Sequence, residues 1–298
     1  MEPPTPPDEA DCCNSGCSPC ILDIYEERLK KYNTSKTDRT SLKNCISETS
    51  YTVFKLIEKI KHTENTYFLI FEYCKPFRKA ENENGSELCI KYKPGQHFML
   101  RTPLNGIIDH FTRAYTPIPF DNLNPLSFCI LVKIYEGGMM SKYLRNMKIG
   151  CDTLWRGPYC DFTINYTYKY ILMMAQGTGI APLYSILKEM LDNDECNTFI
   201  KLFFCCRSSG DILLREELYK CLAYWNFTYE VFLSTKDDVK VKYNEVVNYG
   251  KLNRGDIWLY LDDKKDNGVQ VLICGSEMFS KDVGDDLLNM EGIDVFVF

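Results

Sequence analysis

In the run HFTRAYTPI, from His110 to Ile118, a guanidinium, a phenol ring and a hydroxyl stand at alternate or adjacent positions: Arg113, Tyr115 and Thr116, followed by Pro117. Alternate side chains of a strand share a face, so Arg113 and Tyr115 point the same way. An arginine fork grips a diphosphate, and an aromatic on the same face lies against a planar ring system. That pair suits a flavin nucleotide. Thr116 and Pro117 are expected to turn the chain off the sheet edge. Alone, the same residues also describe a surface strand with a solvated arginine and a packed tyrosine.

Further stretches carry chemistry of their own. Gly137 and Gly138 precede Met139, Met140 and Ser141 and a short helix. The double glycine permits close backbone approach, the helix start presents N–H groups to an anion, and Ser141 adds a hydroxyl. Downstream, the apolar run YKYILMMA (168–175) leads into Gln176-Gly177-Thr178-Gly179-Ile180-Ala181-Pro182. A glycine-rich turn between a strand and a helix offers backbone donors to a dinucleotide. Pro182 stands where the Rossmann fingerprint has its third glycine, a substitution tolerated in a first helical turn. Cys274-Gly275 ends a later apolar strand. Near the start, Cys12, Cys13, Cys17 and Cys20 lie within nine positions. Four thiolates suit zinc or an iron–sulfur cluster, although only Cys17 and Cys20 form a CxxC pair. A redox pair, or a docking helix with incidental cysteines, are the competing readings.

These residues need elements to position them. With 298 residues, two domains are the natural expectation. Net charge of −6 argues against nucleic acid as a partner. No apolar run reaches the ~18–20 residues of a membrane span, so the chain is expected to be cytoplasmic, or peripheral at an endoplasmic reticulum or mitochondrial membrane through a partner. Of fifteen cysteines, several sit in apolar runs, such as Cys129, Cys205 and Cys206, and read as small buried hydrophobes in a reducing compartment.

Residues 1–32 read as a proline-rich, acidic, disordered arm (1–11) followed by the cysteine-rich module. In the latter, Ile21, Ile24, Tyr25 and Leu29 repeat at helical spacing and Cys20 stands at the helix start, where the helix N-terminus lowers a thiol pKa. Residues 33–49 read as a polar linker. From 50 to 166, alternating strands, an exposed charged loop (KPFRKAENENGSEL), one helix and a turn at Gly157-Pro158 predict an antiparallel barrel. From 167 to 298, strands alternate with helices, one of them capped by Asp211, which predicts a parallel sheet with its ligand along the strand C-terminal ends.

Taken in order, RAYTP, GGMMS, QGTGIAP after a strand and CGSEMF resemble the ferredoxin–NADP reductase superfamily, and within it the NADH–cytochrome b5 reductase family. The resemblance runs from about residue 50 to 298. The cysteine module in front resembles an oxidoreductase-like N-terminal segment found in the cytochrome b5 reductase-like subgroup.

The resemblance implies an FAD-binding barrel followed by an NAD(P)-binding domain, with electrons passing from NADH through FAD to a heme acceptor resembling cytochrome b5. Arg113 would bind the FAD pyrophosphate, Tyr115 would lie along the isoalloxazine, and Thr116 would sit near its N5. Gly138, Met140 and Ser141 would hold the FAD phosphates, and Lys133 would contact the nicotinamide nucleotide. Gly177, Thr178, Gly179 and Pro182 would form the nucleotide turn. Cys274 and Gly275 would line the nicotinamide pocket, with Phe298 closing the interface near the flavin. Thr116 and Cys274 are the residues at the hydride-transfer site, and Cys274 is a positioning residue rather than a nucleophile.

Gln176 stands where the family usually has glycine, and Cys160 where it usually has a small residue. Arg207-Ser208 could take a 2′-phosphate and so admit NADPH. An acidic acceptor would need a basic patch such as Lys142, Arg145 and Lys148. The alternatives are a reductase for an iron–sulfur acceptor, and a metal-binding or assembly protein with a vestigial reductase body.

Overall fold

The computed structural model describes residues 4–8, 11, 19–34, 42–74, 87–102, 110–288 and 290–298. It divides into two compact units, Met1–Phe162 and Thr163–Phe298. Among the described residues no helix is long and apolar enough to cross a membrane.

The first unit opens with helix α1 (Ile21–Thr34). Its strands are β1 (Leu42–Asn44), β2 (Thr52–Lys61), β3 (Thr66–Tyr73), β4 (Glu87–Cys89), β5 (His97–Arg101), β6 (Thr112–Tyr115), β7 (Pro117–Ile118), β8 (Ser127–Lys133) and β9 (Asp152–Tyr159), with helix α2 (Met139–Asn146) before the last. Seven of them form one antiparallel sheet in the order β6-β5-β9-β2-β3-β8-β7. Strands β6 and β7 occupy opposite ends of that order, yet only Thr116 separates them in the chain. The sheet therefore curls until its ends meet, with Thr116 at the seam. Thr116 and Pro117 do not turn the chain off the sheet, as the sequence suggests. They carry it from one edge, paired with β5, to the other, paired with β8.

The barrel is filled by aromatic rings. Phe128 packs edge-on against Phe54, Phe98 and Trp155, with centroids 5.0–5.1 Å apart. The Trp155 indole N–H donates to Thr153 Oγ1 at 2.8 Å, and that hydroxyl donates to the Phe54 carbonyl at 2.7 Å, so the buried polar atoms are satisfied. Gly157-Pro158, expected at a turn, lies inside β9 as a cis peptide. Phe98 packs so tightly there that a Cβ on Gly157 would sit 2.9 Å from its ring.

The front of the chain is fastened to this barrel. Ile21 is buried, and Arg28 forms a two-pronged ion pair with Glu48. The buried Arg156 guanidinium donates to the Tyr51 hydroxyl (3.2 Å), the Tyr159 hydroxyl (2.6 Å) and the Pro19 carbonyl (3.1 Å). Arg101, also buried, pairs with Asp11 at 2.8 Å. Asp11 is the last residue of the arm that the composition marks as disordered, and this contact holds Asp11 itself. The 33–49 stretch, polar in composition, carries β1, which pairs with β4, and delivers buried Ile46 to the core. The charged loop lies mostly outside the described residues.

The second unit holds β10 (Tyr170–Gln176), α3 (Ile180–Leu191), β11 (Phe199–Cys206), α4 (Arg215–Cys221), β12 (Phe227–Leu233), β13 (Val246–Tyr249), α5 (Arg254–Leu261), β14 (Val269–Cys274), α6 (Glu277–Gly284) and β15 (Ile293–Val297). Its six strands are parallel, in the order β13-β12-β11-β10-β14-β15. The chain winds outward from β10 to β13, then returns to place β14 on β10's other side. The strand order thus reverses between β10 and β14, and the crevice above such a reversal is where sheets of this kind bind ligands. The near-continuous apolar runs of β10 and β14 fit burial on both faces. Asp211 does not cap α4. Leu214, in left-handed backbone at φ 55°, precedes that helix, and the Asp211 carboxylate accepts from Ser208 Oγ at 2.8 Å.

Candidate functional site

Each unit carries a candidate site of its own. In the first, Arg113 is exposed on β6 and donates to the Thr112 carbonyl at 2.8 Å, which keeps its fork at the strand surface. Tyr115, two residues on, packs edge-on against Trp155 at 6.1 Å. Burial pushes its hydroxyl pKa well up, only partly offset by the Arg113 charge, so Tyr115 stays neutral. The Tyr135 phenol, in the loop before α2, adds to that shift.

That loop ends at Gly138, the residue ahead of α2, and no side chain caps the helix. Ser141 is buried, and its hydroxyl accepts the Tyr135 N–H at 3.0 Å while keeping its own proton to donate. A Cβ on Gly138 would press on Ser141 Oγ at 3.2 Å. Met140 is buried in the same first turn, and Lys133 ends β8 two residues before Tyr135. An uncapped helix start, a free hydroxyl proton and an exposed guanidinium suit anionic phosphates, and the neutral ring beside them suits a flat heterocycle.

In the second unit, two turns meet at the reversal point. Gly177 has φ +54°, Gly177–Gly179 make one 3-10 turn, and Pro182 occupies the third position of α3, where its missing N–H is not needed. Gly179 abuts the Cys274 backbone so closely that a Cβ would lie 2.3 Å from the Cys274 carbonyl oxygen. Phe298 is joined to the same strand end: its N–H donates to the Ile273 carbonyl at 2.9 Å. Gly177, Thr178, Gly179, Pro182, Cys274, Gly275 and Phe298 therefore gather at one end of one sheet.

Beyond β11, Asp237 Oδ2 accepts both the N–H (2.7 Å) and the hydroxyl (2.6 Å) of Ser209. These bonds hold its carboxyl below the usual carboxylate range, and Oδ1 is left without a partner. Asp237 is not among the residues whose type and spacing stand out in the sequence. Its signal is its place just past a parallel strand's C-terminal end. Gln176 is the second residue whose role the sequence did not show: its Oε1 accepts from Ser276 Oγ at 2.7 Å and Ser276 N at 3.2 Å.

The cysteines named in apolar runs lie in strands of the two sheets. Cys129 and Cys206 are buried, and burial pushes the Cys205 thiol up to about 12. Cys20 lies immediately before α1. Cys12, Cys13 and Cys17 lie outside the described residues, and among the described residues no group of three or more His, Cys, Asp or Glu could hold a metal.

Comparison with known proteins adds three family matches. Residues 54–164 match the oxidoreductase FAD-binding domain, residues 173–285 the oxidoreductase NAD-binding domain, and residues 1–40 the N-terminal segment of oxidoreductase-like proteins. A Homo sapiens protein named NADH-cytochrome b5 reductase-like is 32% identical, over 96% of this chain and 90% of its own length. A Mus musculus protein of the same name is 29% identical, over 96% and 91%. Among solved structures, the cytochrome b5 reductase domain of Ulva prolifera nitrate reductase shares the fold with a TM-score of 0.69 at 21% identity, covering 85% of this chain and all 100% of that one.

Proposed function

The chain belongs to the NADH–cytochrome b5 reductase-like family of flavoprotein oxidoreductases, and on that premise we propose that it passes electrons from NADH, through FAD, singly to a heme protein of the cytochrome b5 type. Bound FAD supplies the chemistry the side chains lack, accepting a hydride from the nicotinamide and releasing electrons one at a time. Arg113 and the α2 start carry the flavin's phosphates. Tyr115, kept neutral by burial, offers its ring to the isoalloxazine without placing a charge beside it. Thr116, at the barrel seam directly after Tyr115, would set its hydroxyl near the flavin N5. Gly177–Gly179 and the α3 start hold the dinucleotide's phosphates, and the Cys274–Gly275 turn receives the nicotinamide.

The observation that carries this reading is the contact of Gly179 with Cys274. It presses a phosphate-binding turn against a second turn at the reversal point of a parallel sheet, an arrangement suited to a dinucleotide. NADH rather than NADPH is the donor: Asp237 keeps a negative charge at the strand end, with Oδ1 unpaired and able to accept a ribose hydroxyl, and that charge repels a 2′-phosphate. The acceptor surface is the exposed edge of α2 and the turn after it, where Lys142, Arg145 and Lys148 stand out. Lys59 Nζ fixes the end of that helix by donating to the Leu144 (2.9 Å) and Arg145 (3.0 Å) carbonyls. The domain boundaries we assign are the FAD barrel over 50–166 and the NAD domain over 167–298.

Anaerobic titration tests the reading. The purified protein should be yellow and should bleach on addition of NADH, then recolour on mixing with oxidised cytochrome b5. A colourless protein that does not take up FAD would overturn it.

A further inference from the structure

Gln176 ends β10, paired in register with Cys205 of β11, while Ala175 before it pairs with Cys274 of β14. Past that point the two strands give way to separate turns, and the Gln176 side chain spans them. Its Oε1 accepts from both the hydroxyl and the N–H of Ser276. The Ser276 hydroxyl, having donated its proton to Gln176, accepts the Phe279 N–H at 3.3 Å and so caps α6. Below this bridge the fit is tight. A Cβ on Gly275 would lie 2.9 Å from Gln176 Cβ and 2.5 Å from the Phe279 ring.

We propose that Gln176 is a positioning residue for hydride transfer, locking the Cys274–Gly275 turn against the Gly177–Gly179 turn and thereby fixing where the nicotinamide ring sits. The inference rests on the reading of this sheet edge as the NADH site. Its physical content is a division of labour. The glycine turn binds the dinucleotide's phosphates through its backbone, so affinity is set mostly there. The ring is held by the Cys274–Gly275 turn, and that turn owes its place to a side-chain amide and a serine hydroxyl. Losing the bridge therefore costs orientation more than binding, and orientation governs the rate of a hydride step.

Four variants test this in the FAD-loaded protein: Gln176→Ala, Gln176→Glu, Ser276→Ala and the double Gln176→Ala/Ser276→Ala. FAD content and thermal midpoint confirm that each is folded. In Gln176→Ala, the limiting rate of flavin reduction by NADH should fall about tenfold, while NAD+ affinity by calorimetry changes by less than about threefold. The long-wavelength charge-transfer absorbance between NAD+ and reduced flavin should weaken in parallel, since it reports ring alignment rather than turnover. Ser276→Ala should behave alike, and the double variant should be no slower than Gln176→Ala, because both act through one bridge. Gln176→Glu keeps the acceptor oxygen and should retain the limiting rate, but with a raised KM, since it adds a negative charge beside the phosphate-binding turn. A Gln176→Ala protein with the wild-type limiting rate and charge-transfer band overturns the inference, as does a Gln176→Glu protein as slow as the alanine variant. A wild-type flavin that NADH does not reduce would instead overturn the functional reading on which the inference depends.

Discussion

Replacing Gly179 by alanine adds one methyl group at the most crowded point of the nucleotide site. The backbone there has φ −61° and ψ −9°, which alanine adopts freely, so the variant carries no conformational strain. The whole effect comes from contact. The new Cβ would lie 2.3 Å from the Cys274 carbonyl oxygen and 2.6 Å from its carbon, and both belong to backbone that no rotamer change can move aside. Ordinary contact resumes at 3.4 Å, so the two turns must part by about 1 Å. A misplacement of that size costs on the order of 100-fold in rate when it separates a reacting ring from its partner.

Gly179→Ala should therefore bind FAD normally, since the barrel is untouched, and show flavin reduction by NADH slowed about 100-fold in anaerobic stopped-flow mixing. Gly250→Ala, at the end of the outer strand β13 and away from the nucleotide turn, is the control. Nothing lies within 4 Å of its Cβ, but φ is +125°, so it should lower stability with little change in rate. A Gly179→Ala enzyme within about threefold of wild type would refute the reasoning, because it would mean the turns separate without moving the ring.

Other expectations concern single charges. Arg113→Ala removes a charge-assisted contact to phosphate, and FAD should dissociate about 10–100-fold more readily, as read from flavin fluorescence on dilution; unchanged retention would show that the phosphates lie elsewhere. Asp237→Asn should raise kcat/KM for NADPH relative to NADH by about tenfold or more, and an unchanged ratio in steady-state assays would remove Asp237 from the specificity argument. Burial, reinforced by the Arg156 charge, lowers the His97 pKa from 6.5 to about 4, and its Nε2 lacks a hydrogen-bond partner. The unfolded chain then binds the extra proton between those values. Stability should fall as pH drops from about 6.5 to 4, by up to about 3 kcal/mol, and denaturant unfolding of His97→Gln should lose that slope.

How much of this was written in the sequence depends on the range of each interaction. Arg113 and Tyr115 could be placed on one face because a strand's period is local. The role of Thr116 as a seam could not, since it depends on which strands flank β6 and β7, and those are β5 and β8. Pro182 and the glycine turn were legible because strand, turn and helix follow one another directly. Asp237 was not, because its partner Ser209 lies 28 residues away on a neighbouring strand end. Asp211 has the composition of a cap. The left-handed Leu214 starts α4 three residues later, and nothing in the local sequence announces that. The 33–49 stretch reads as linker by polarity, yet a three-residue pairing with β4 draws it into the barrel.

The fastening of the front of the chain has a consequence for synthesis. Pro19 is gripped by Arg156, a residue made 137 positions later, and Asp11 by Arg101, made 90 later. At ribosomal speeds of ~5–20 residues per second, the first of these clasps waits roughly 7–27 s before its partner exists. Through that interval Pro19 and its neighbour Cys20 travel ahead of the arginine that will hold them, open to oxidants, metal ions and chaperones alike. Whatever the Cys20 thiol acquires as the nascent chain lengthens is in place before Arg156 closes on Pro19.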